Sequence, residues 1–431
     1  TIIYKSVLFK CSGRMIIGRL CHELRQKPKV AQDVINYLES SIEYKDLIDS
    51  IPKNLLKKYR TPETMYLISR KTAKDISNTL LGYVDKNAPL VEVNPGFGFL
   101  TQELVQWHKS PIYLYETSKH FKQFFNVINL STYLLMVQNP SLINYKITDF
   151  FSIWKLAFQD KIDQGNRVNE LLGDLINKDK GSILNIIAAM PSLNFVRHLI
   201  NTIVFDNKTS YLGMLDLYIV MPGYYYEFLT DNAIQKGKHK SIPALFQLIF
   251  DYKVLNKVPK VHYLPWTYPP SSKKISMMDE YSLYLVRITQ KPNLPCLPEY
   301  LPLLWYFFKP YTLAKSTRVI PMLEQWIPGS GVWLITGQDP PHTNKQLSPD
   351  ENDAKLPHMT IFTEFGDLSL QQKLTVFKRF ISWPEFEQCP FRATMENHLQ
   401  KFAAPYDDKT NIGSHNDDEI EISDTETEPN E

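Results

Sequence analysis

The sequence predicts an α/β protein: an open, mostly parallel sheet with a smaller helical domain after it. Three observations predict this. Apolar, strand-like runs alternate with helix-like segments between residues 90 and 290, the pattern of a sheet covered by helices on both faces. The stretch Leu90-Val-Glu-Val-Asn-Pro-Gly-Phe-Gly-Phe-Leu-Thr101 reads as a strand, a tight turn and a helix start. From Pro295 onward the strand signals stop and only helical candidates remain.

Residues 1–30 hold seven bases (Lys5, Lys10, Arg14, Arg19, Arg25, Lys27, Lys29) and one acid, Glu23. Short apolar groups lie between them. This is the composition of a mitochondrial transit peptide; a basic surface helix is the alternative. Residues 31–60 read as a polar helical extension. Tyr66, Leu67, Ala73, Ile76 and Leu80 suggest a helix leading into the first strand at Leu90. Strands are then expected at 90–94, 111–115, near 145–148, at 183–189, 214–220 and 281–289. Helices are expected at 99–107, 118–130, 193–204 and 224–231, with a polar insertion at 160–181. Val261 to Pro270, aromatic and Pro-rich, reads as irregular. The first large domain therefore spans 61–294. The second, at 295–405, has helix candidates at Leu301–Phe308, Val319–Ile327, Ser369–Phe380 and Phe386–Leu399. The tail at 406–431 has almost no apolar residues and is expected to be disordered.

Composition narrows the function classes. Hydrophobic residues make up 43% of the 431, ample for a core, and no apolar run approaches the ~20 residues of a membrane span. No membrane partner is expected. The four cysteines (Cys11, Cys21, Cys296, Cys389) lack metal-ligand spacing and are too few for a disulfide framework, which fits a reducing compartment and no metal. Charge is unevenly divided: Asp407 to Glu431 carries ten acids and one base, Lys409, so a net +2 chain has a strongly basic body. A basic body fits contact with a polyanion, and the acidic tail could compete for the same surface; a solubilising tail is the plainer reading.

Ligands of open α/β sheets sit at the carboxyl ends of the strands. Three acids stand there: Glu92 in the first strand, Glu116 after the second and Asp149 after the third. In the turn, Gly96 allows positive φ and close approach of a ligand, and Gly98 leaves packing space. Glu116, about twenty residues beyond the turn, is placed to accept hydrogen bonds from a ribose hydroxyl pair. Asp149, followed by Phe150 and Phe151, suits an adenine amine with an aromatic on the base.

On these residues the chain resembles a family. Glu92-Val-Asn-Pro-Gly-Phe-Gly-Phe-Leu-Thr101, Tyr115-Glu116, Thr148-Asp149-Phe150 and Met190-Pro191 look like the ribosomal RNA adenine N6-dimethyltransferases, over roughly residues 60–400. The resemblance implies an S-adenosylmethionine-dependent methyltransferase (Rossmann-like) domain with a small helical C-terminal domain. It also implies a cofactor site of Glu92, Asn94, Gly96, Gly98, Glu116 and Asp149, with the turn at the methionine part, Glu116 at the ribose and Asp149 at the adenine.

Three departures matter. Asn94 stands at the family's first motif glycine. The catalytic motif, normally Asn-(Leu/Ile)-Pro-(Tyr/Phe), is Ala189-Met190-Pro191-Ser192 here. In the family that amide and aromatic hold a flipped adenine; Ala189 has no side-chain acceptor and Ser192 no π face. Met65-Tyr66-Leu67 replaces the upstream Gln-Asn-Phe-Leu segment. Methyl transfer is expected to be lost or weak, so S-adenosylmethionine is a vestigial cofactor at most.

A broken catalytic motif beside a transit-like N-terminus resembles the branch of this family that serves the single-subunit mitochondrial RNA polymerase as an initiation factor. The resemblance implies promoter DNA and that polymerase as partners, in the mitochondrial matrix nucleoid. Mitochondrial ribosomal RNA, as the substrate of an active dimethyltransferase, is the alternative; a third reading is a pseudo-enzyme of ribosome assembly. Opened strands are held by basic grooves and aromatic platforms. Candidates are Lys236, Lys238 and Lys240, then Lys257, Lys260 and Trp266, with Arg197 near the cleft. A solvated lysine loop and core aromatics are the other reading of the same residues.

Overall fold

The computed structural model describes residues 30–59, 62–122, 143–151, 165–175, 183–205, 214–230, 241–267, 282–309, 316–338 and 353–403, with residues 124, 156 and 160 singly. The expected transit peptide, the acidic tail and Lys236, Lys238 and Lys240 lie outside these residues.

Seven strands form the central sheet: β1 Leu90–Val93, β2 Ile112–Glu116, β3 Ile143–Ile147, β4 Ile183–Ala189, β5 Met214–Pro222, β6 Phe250–Pro259 and β7 Ser282–Gln290. Their order is β3-β2-β1-β4-β5-β7-β6. Strands β1 to β5 run parallel, and β7 is antiparallel to both its neighbours. Connections lead outward from β1 to β2 and β3, then return past it to β4. That reversal puts a crevice at the carboxyl ends of β1 and β4, where ligands of such sheets bind. The topology is that of a Rossmann-like methyltransferase domain.

The strands are apolar because both faces are covered; β1 and β2 are buried along their whole length. Side chains alternate between the faces. Val91 and Val93 point to one, with Tyr115, Ile186 and the helices Asn194–Phe205 and Ser241–Ile249. The C-terminal helices Leu301–Phe307, Val319–Glu324, Ser330–Thr336, Leu370–Ser382 and Phe391–Ala403 continue that same core. Leu90 points to the other face, with Leu114, Ile187 and the helices Arg70–Leu80 and Phe99–Val105. The N-terminal extension belongs to this second core through Val34, Leu38, Tyr44, Ile51 and Leu55. No helix among the described residues is long and apolar enough to cross a membrane.

Local chemistry sets the helix ends. Ser69 accepts from the Thr72 amide and starts the helix Arg70–Leu80. Ser369 and Gln372 form a reciprocal capping box ahead of Leu370–Ser382, an arrangement that contributes about 1 kcal/mol.

The expected strands all form, with ends shifted by a residue or two. Several features differ from the sequence reading, among them Tyr66–Leu67, expected in a helix, and Tyr263–Leu264, expected irregular, which pair as short strands. The segment with Lys253 and Lys257 is the edge strand β6, because its lysines flank an apolar strand and point away from the core, a common protection of sheet edges. The extension 31–60 is helical only to Ile48, then runs irregularly to Lys58–Tyr59, which pairs in parallel with Trp266–Thr267. Phe150 is fully buried against Tyr115, with ring centroids 4.9 Å apart, so it is a core residue and not a base platform.

Candidate functional site

The glycine turn follows β1 and holds three left-handed residues in a row of five: Asn94 at φ 53°, Gly96 at φ 57° and Gly98 at φ 71°. Asn is among the few non-glycine residues that tolerate this region. Here its side chain adds a reason for it: Asn94 Oδ1 accepts from the Thr117 amide at 3.2 Å and the Thr117 hydroxyl at 3.0 Å. Its own amide donates to Tyr115 O at 2.7 Å. The departure from the family's first glycine therefore keeps the backbone shape and ties the turn to the end of β2.

Glu92 lies on the same face of β1 as Leu90, almost wholly buried, and accepts from the Thr101 hydroxyl at 2.7 Å. Burial pushes its carboxyl up to about 7, with the nearby Glu116 charge adding to the rise and the Thr101 bond opposing it. It braces the strand against the helix that follows the turn.

Glu116, at the end of β2, has no exposed surface. One carboxylate oxygen accepts from the Tyr66 hydroxyl at 3.0 Å and the Ser118 amide at 2.8 Å. The other accepts from the Gly96 amide at 3.1 Å. Burial holds the carboxyl above its ordinary range, against the pull of these donors. The Tyr66 ring lies over the turn, so that a Cβ added at Gly96 would meet Tyr66 Cδ1 at 2.6 Å. Tyr66 itself is 2% exposed and packs at a tilt against Phe121, with ring centroids 4.5 Å apart, and Phe121 meets Phe97 at 5.0 Å.

Asp149 is exposed two residues beyond β3, where its side chain accepts from the Phe151 amide at 2.9 Å. The degenerate motif ends β4. Ala189 is half-buried, Met190 donates its amide to Val220 O at 2.8 Å, Pro191 is buried and Ser192 is half-buried. Because Val93 and Ala188 are paired neighbours, the motif sits directly beside the glycine turn. The topology thus brings the turn, Glu116 and Ala189–Ser192 to the same end of neighbouring strands.

The nucleic-acid candidates are more scattered. Arg197 is half-buried on the helix after the motif. Lys257 on β6 lies over the Tyr284 ring at 4.8 Å, and Lys260 sits in the short turn that follows. Trp266 is half-buried and meets the Tyr37 ring of the extension at 5.3 Å, so one side of it is used within the chain. Among the described residues no group of acids, histidines or cysteines is arranged to hold a metal. Sequence reasoning missed Tyr66 as a site residue. Its only signal was the altered segment Met65-Tyr66-Leu67, because its partners are fifty residues away.

No family model matches the sequence. Dimethyladenosine transferase 2, mitochondrial, of Drosophila melanogaster is 32% identical over 389 residues, spanning 83% of this chain and 84% of that protein. The chain belongs to the ribosomal RNA adenine dimethyltransferase family. Among solved structures, the 23S rRNA methyltransferase ErmE shares 13% identity at a TM-score of 0.40, covering 73% of this chain and 99% of its own. An rRNA methylase from Streptococcus thermophilus shares 12% at 0.26, covering 51% and 95%. The family assignment rests on the sequence match.

S-adenosylmethionine is the family's methyl donor, and the turn that would meet it is present. The ribose position does not fit it in this arrangement. Both oxygens of Glu116 are engaged by donors of this chain, and the carboxylate has no surface from which a ribose hydroxyl could approach.

Proposed function

We propose that this protein works in mitochondria as a transcription initiation factor, in the manner of mitochondrial transcription factor B2. In this reading it assists the single-subunit mitochondrial RNA polymerase at promoter DNA in the matrix nucleoid. The observation that carries the reading is the end of β4. The motif's backbone position is kept beside the glycine turn, while Ala189 and Ser192 supply neither the amide nor the aromatic that hold a target adenine. A methylase scaffold without that grip still offers a basic body for phosphates.

The role of each part follows from charge and stacking. Lys257 and Lys260 lie on and just after the edge strand, and Arg197 follows the motif. These cations neutralise the phosphates of a strand released on melting, and the half-buried Trp266 adds an aromatic ring for an unstacked base. Lys236, Lys238 and Lys240 add charge from a neighbouring part of the sequence. The mitochondrial address is supported by the mitochondrial Drosophila relative.

That relative's name also supports a second reading, dimethylation of adenines in mitochondrial small-subunit ribosomal RNA. Run-off transcription with the cognate polymerase separates the two. A closed duplex promoter is compared with the same promoter pre-melted around the start site, with and without this protein. Strong dependence on the closed template, relieved by pre-melting, is the expected result. No effect on either template would remove the transcription reading.

A further inference from the structure

We propose that Tyr66 is a built-in occupant of the cofactor cleft, so that the chain as it stands takes up neither S-adenosylmethionine nor S-adenosylhomocysteine. The proposal concerns the nucleoside end of the cleft and is independent of any role at promoters.

Four observations carry it. First, a cofactor ribose needs lone pairs on Glu116, and three of the carboxylate's roughly four accepting directions are taken by the Tyr66 hydroxyl and the Ser118 and Gly96 amides, with no surface left exposed. Second, Gly96 is the glycine whose missing side chain lets something approach the turn, and what approaches it is the Tyr66 ring. Third, the ring is backed by aromatic neighbours, Phe121 and then Phe97 with Phe124 at 5.2 Å, which close the space around it. Fourth, the backbone under Tyr66 is fastened. Tyr66–Leu67 pairs antiparallel with Tyr263–Leu264, the Ile68 amide donates to His262 O at 2.9 Å, and Thr72 Oγ1 lies 2.6 Å from His262 Nδ1.

Each contact replaces one that a bound nucleoside would make. The phenol hydroxyl stands in for a ribose hydroxyl as donor to the carboxylate, and the ring covers the turn's glycine face. A ligand would have to remove a hydrogen bond, expel a buried ring and break its aromatic packing together. The Tyr66 hydroxyl also lies 3.5 Å from the Thr117 hydroxyl, whose proton goes to Asn94, so the plug and Asn94 meet the same threonine. Tyr66, at the family's aromatic position, and Asn94, in place of its first glycine, therefore stabilise one closed arrangement.

Titration calorimetry with S-adenosylhomocysteine tests this on the full chain and on Tyr66→Ala. The unaltered chain is expected to bind more weakly than about 1 mM, and Tyr66→Ala to gain at least about tenfold. Binding by the unaltered chain tighter than that would overturn the proposal. A folded Tyr66→Ala that gains nothing would also overturn it, by removing Tyr66 as the bar. Should Tyr66→Ala fail to fold, hydrogen exchange of the unaltered chain decides. Protection of the segments 94–98 and 116–118 that does not change with S-adenosylhomocysteine supports closure, and a ligand-dependent change overturns it. Promoter-dependent run-off is expected to be the same whichever way this falls.

Discussion

The two ends of the crevice have departed from the family pattern in opposite ways. At the end of β4 the functional groups are gone and the backbone is kept: Ala189 and Ser192 stand at the positions of the amide and aromatic, beside an unaltered proline. At the ends of β1 and β2 the functional groups are kept and their availability is gone. Glu92, Gly96 and Glu116 all remain, yet Glu116 is fully buried and bonded by Tyr66, Gly96 and Ser118. The difference teaches that a motif acid is evidence for a ligand only while its lone pairs are free. The same carboxylate that grips a ribose can become an interior brace once a neighbour supplies the hydroxyl.

If Glu116 is a brace, removing it has the largest effect. Glu116→Ala strands three donors in the interior and is expected to cost roughly 3–5 kcal/mol in urea unfolding. A loss under about 1 kcal/mol would show that the carboxylate is not structural. Gly96→Ala comes next, at about 2–3 kcal/mol, because its Cβ would overlap the Tyr66 ring and its φ of 57° disfavours alanine. A normal stability for this variant would place Tyr66 away from the turn.

Lys373 sharpens the comparison from another part of the molecule. It is fully buried in the helix Leu370–Ser382, and its ammonium has no hydrogen-bond partner among the described residues. Burial pushes its pKa down to about 7. The unfolded chain keeps this proton up to the ordinary lysine value near 10.5, so unfolding takes up a proton between the two values. Stability from this group therefore rises with pH from about 7 to about 10.5. Lys373→Met is expected to stabilise by about 1–3 kcal/mol near pH 7 and to flatten that rise. Denaturation curves across that pH range check both points; an unchanged slope would contradict the burial.

Glu92 gives a smaller effect of the opposite sign. Its folded pKa is raised to about 7 from 4.5, so the folded state holds the extra proton and this group's contribution falls as pH rises through that window. Glu92→Gln keeps an acceptor for Thr101 and is expected to remove that fall, read from melting temperatures at pH 5 and 7.5. The smallest change belongs to Asn94→Ala, at about 1–2 kcal/mol, from the lost bonds to Thr117 at a left-handed φ.

Much of the sheet was legible because its signals are local. Continuous apolar runs, a glycine turn and acids at fixed offsets placed β1, β2 and β4 and brought the motif beside the turn. The helix Ser241–Ile249 was missed because Pro243 stands in its first turn, and β6 because lysines on an edge strand look like a basic loop. What occupies Glu116 was not legible at all. Tyr66 reaches it across fifty residues of sequence, placed by a two-residue ladder with Tyr263–Leu264 that no local pattern marks. Trp266 shows the same limit, since its packing partner Tyr37 comes from the N-terminal extension.

The central claim is that both ends of this methylase crevice are unsuited to chemistry. Methyl transfer from labelled S-adenosylmethionine to small-subunit ribosomal RNA tests it most directly, using the unaltered chain beside an Ala189→Asn, Ser192→Phe double variant. No incorporation by either protein is expected, because restoring the base-holding end leaves the ribose end filled by Tyr66. Stoichiometric adenine methylation by the unaltered chain would contradict the account.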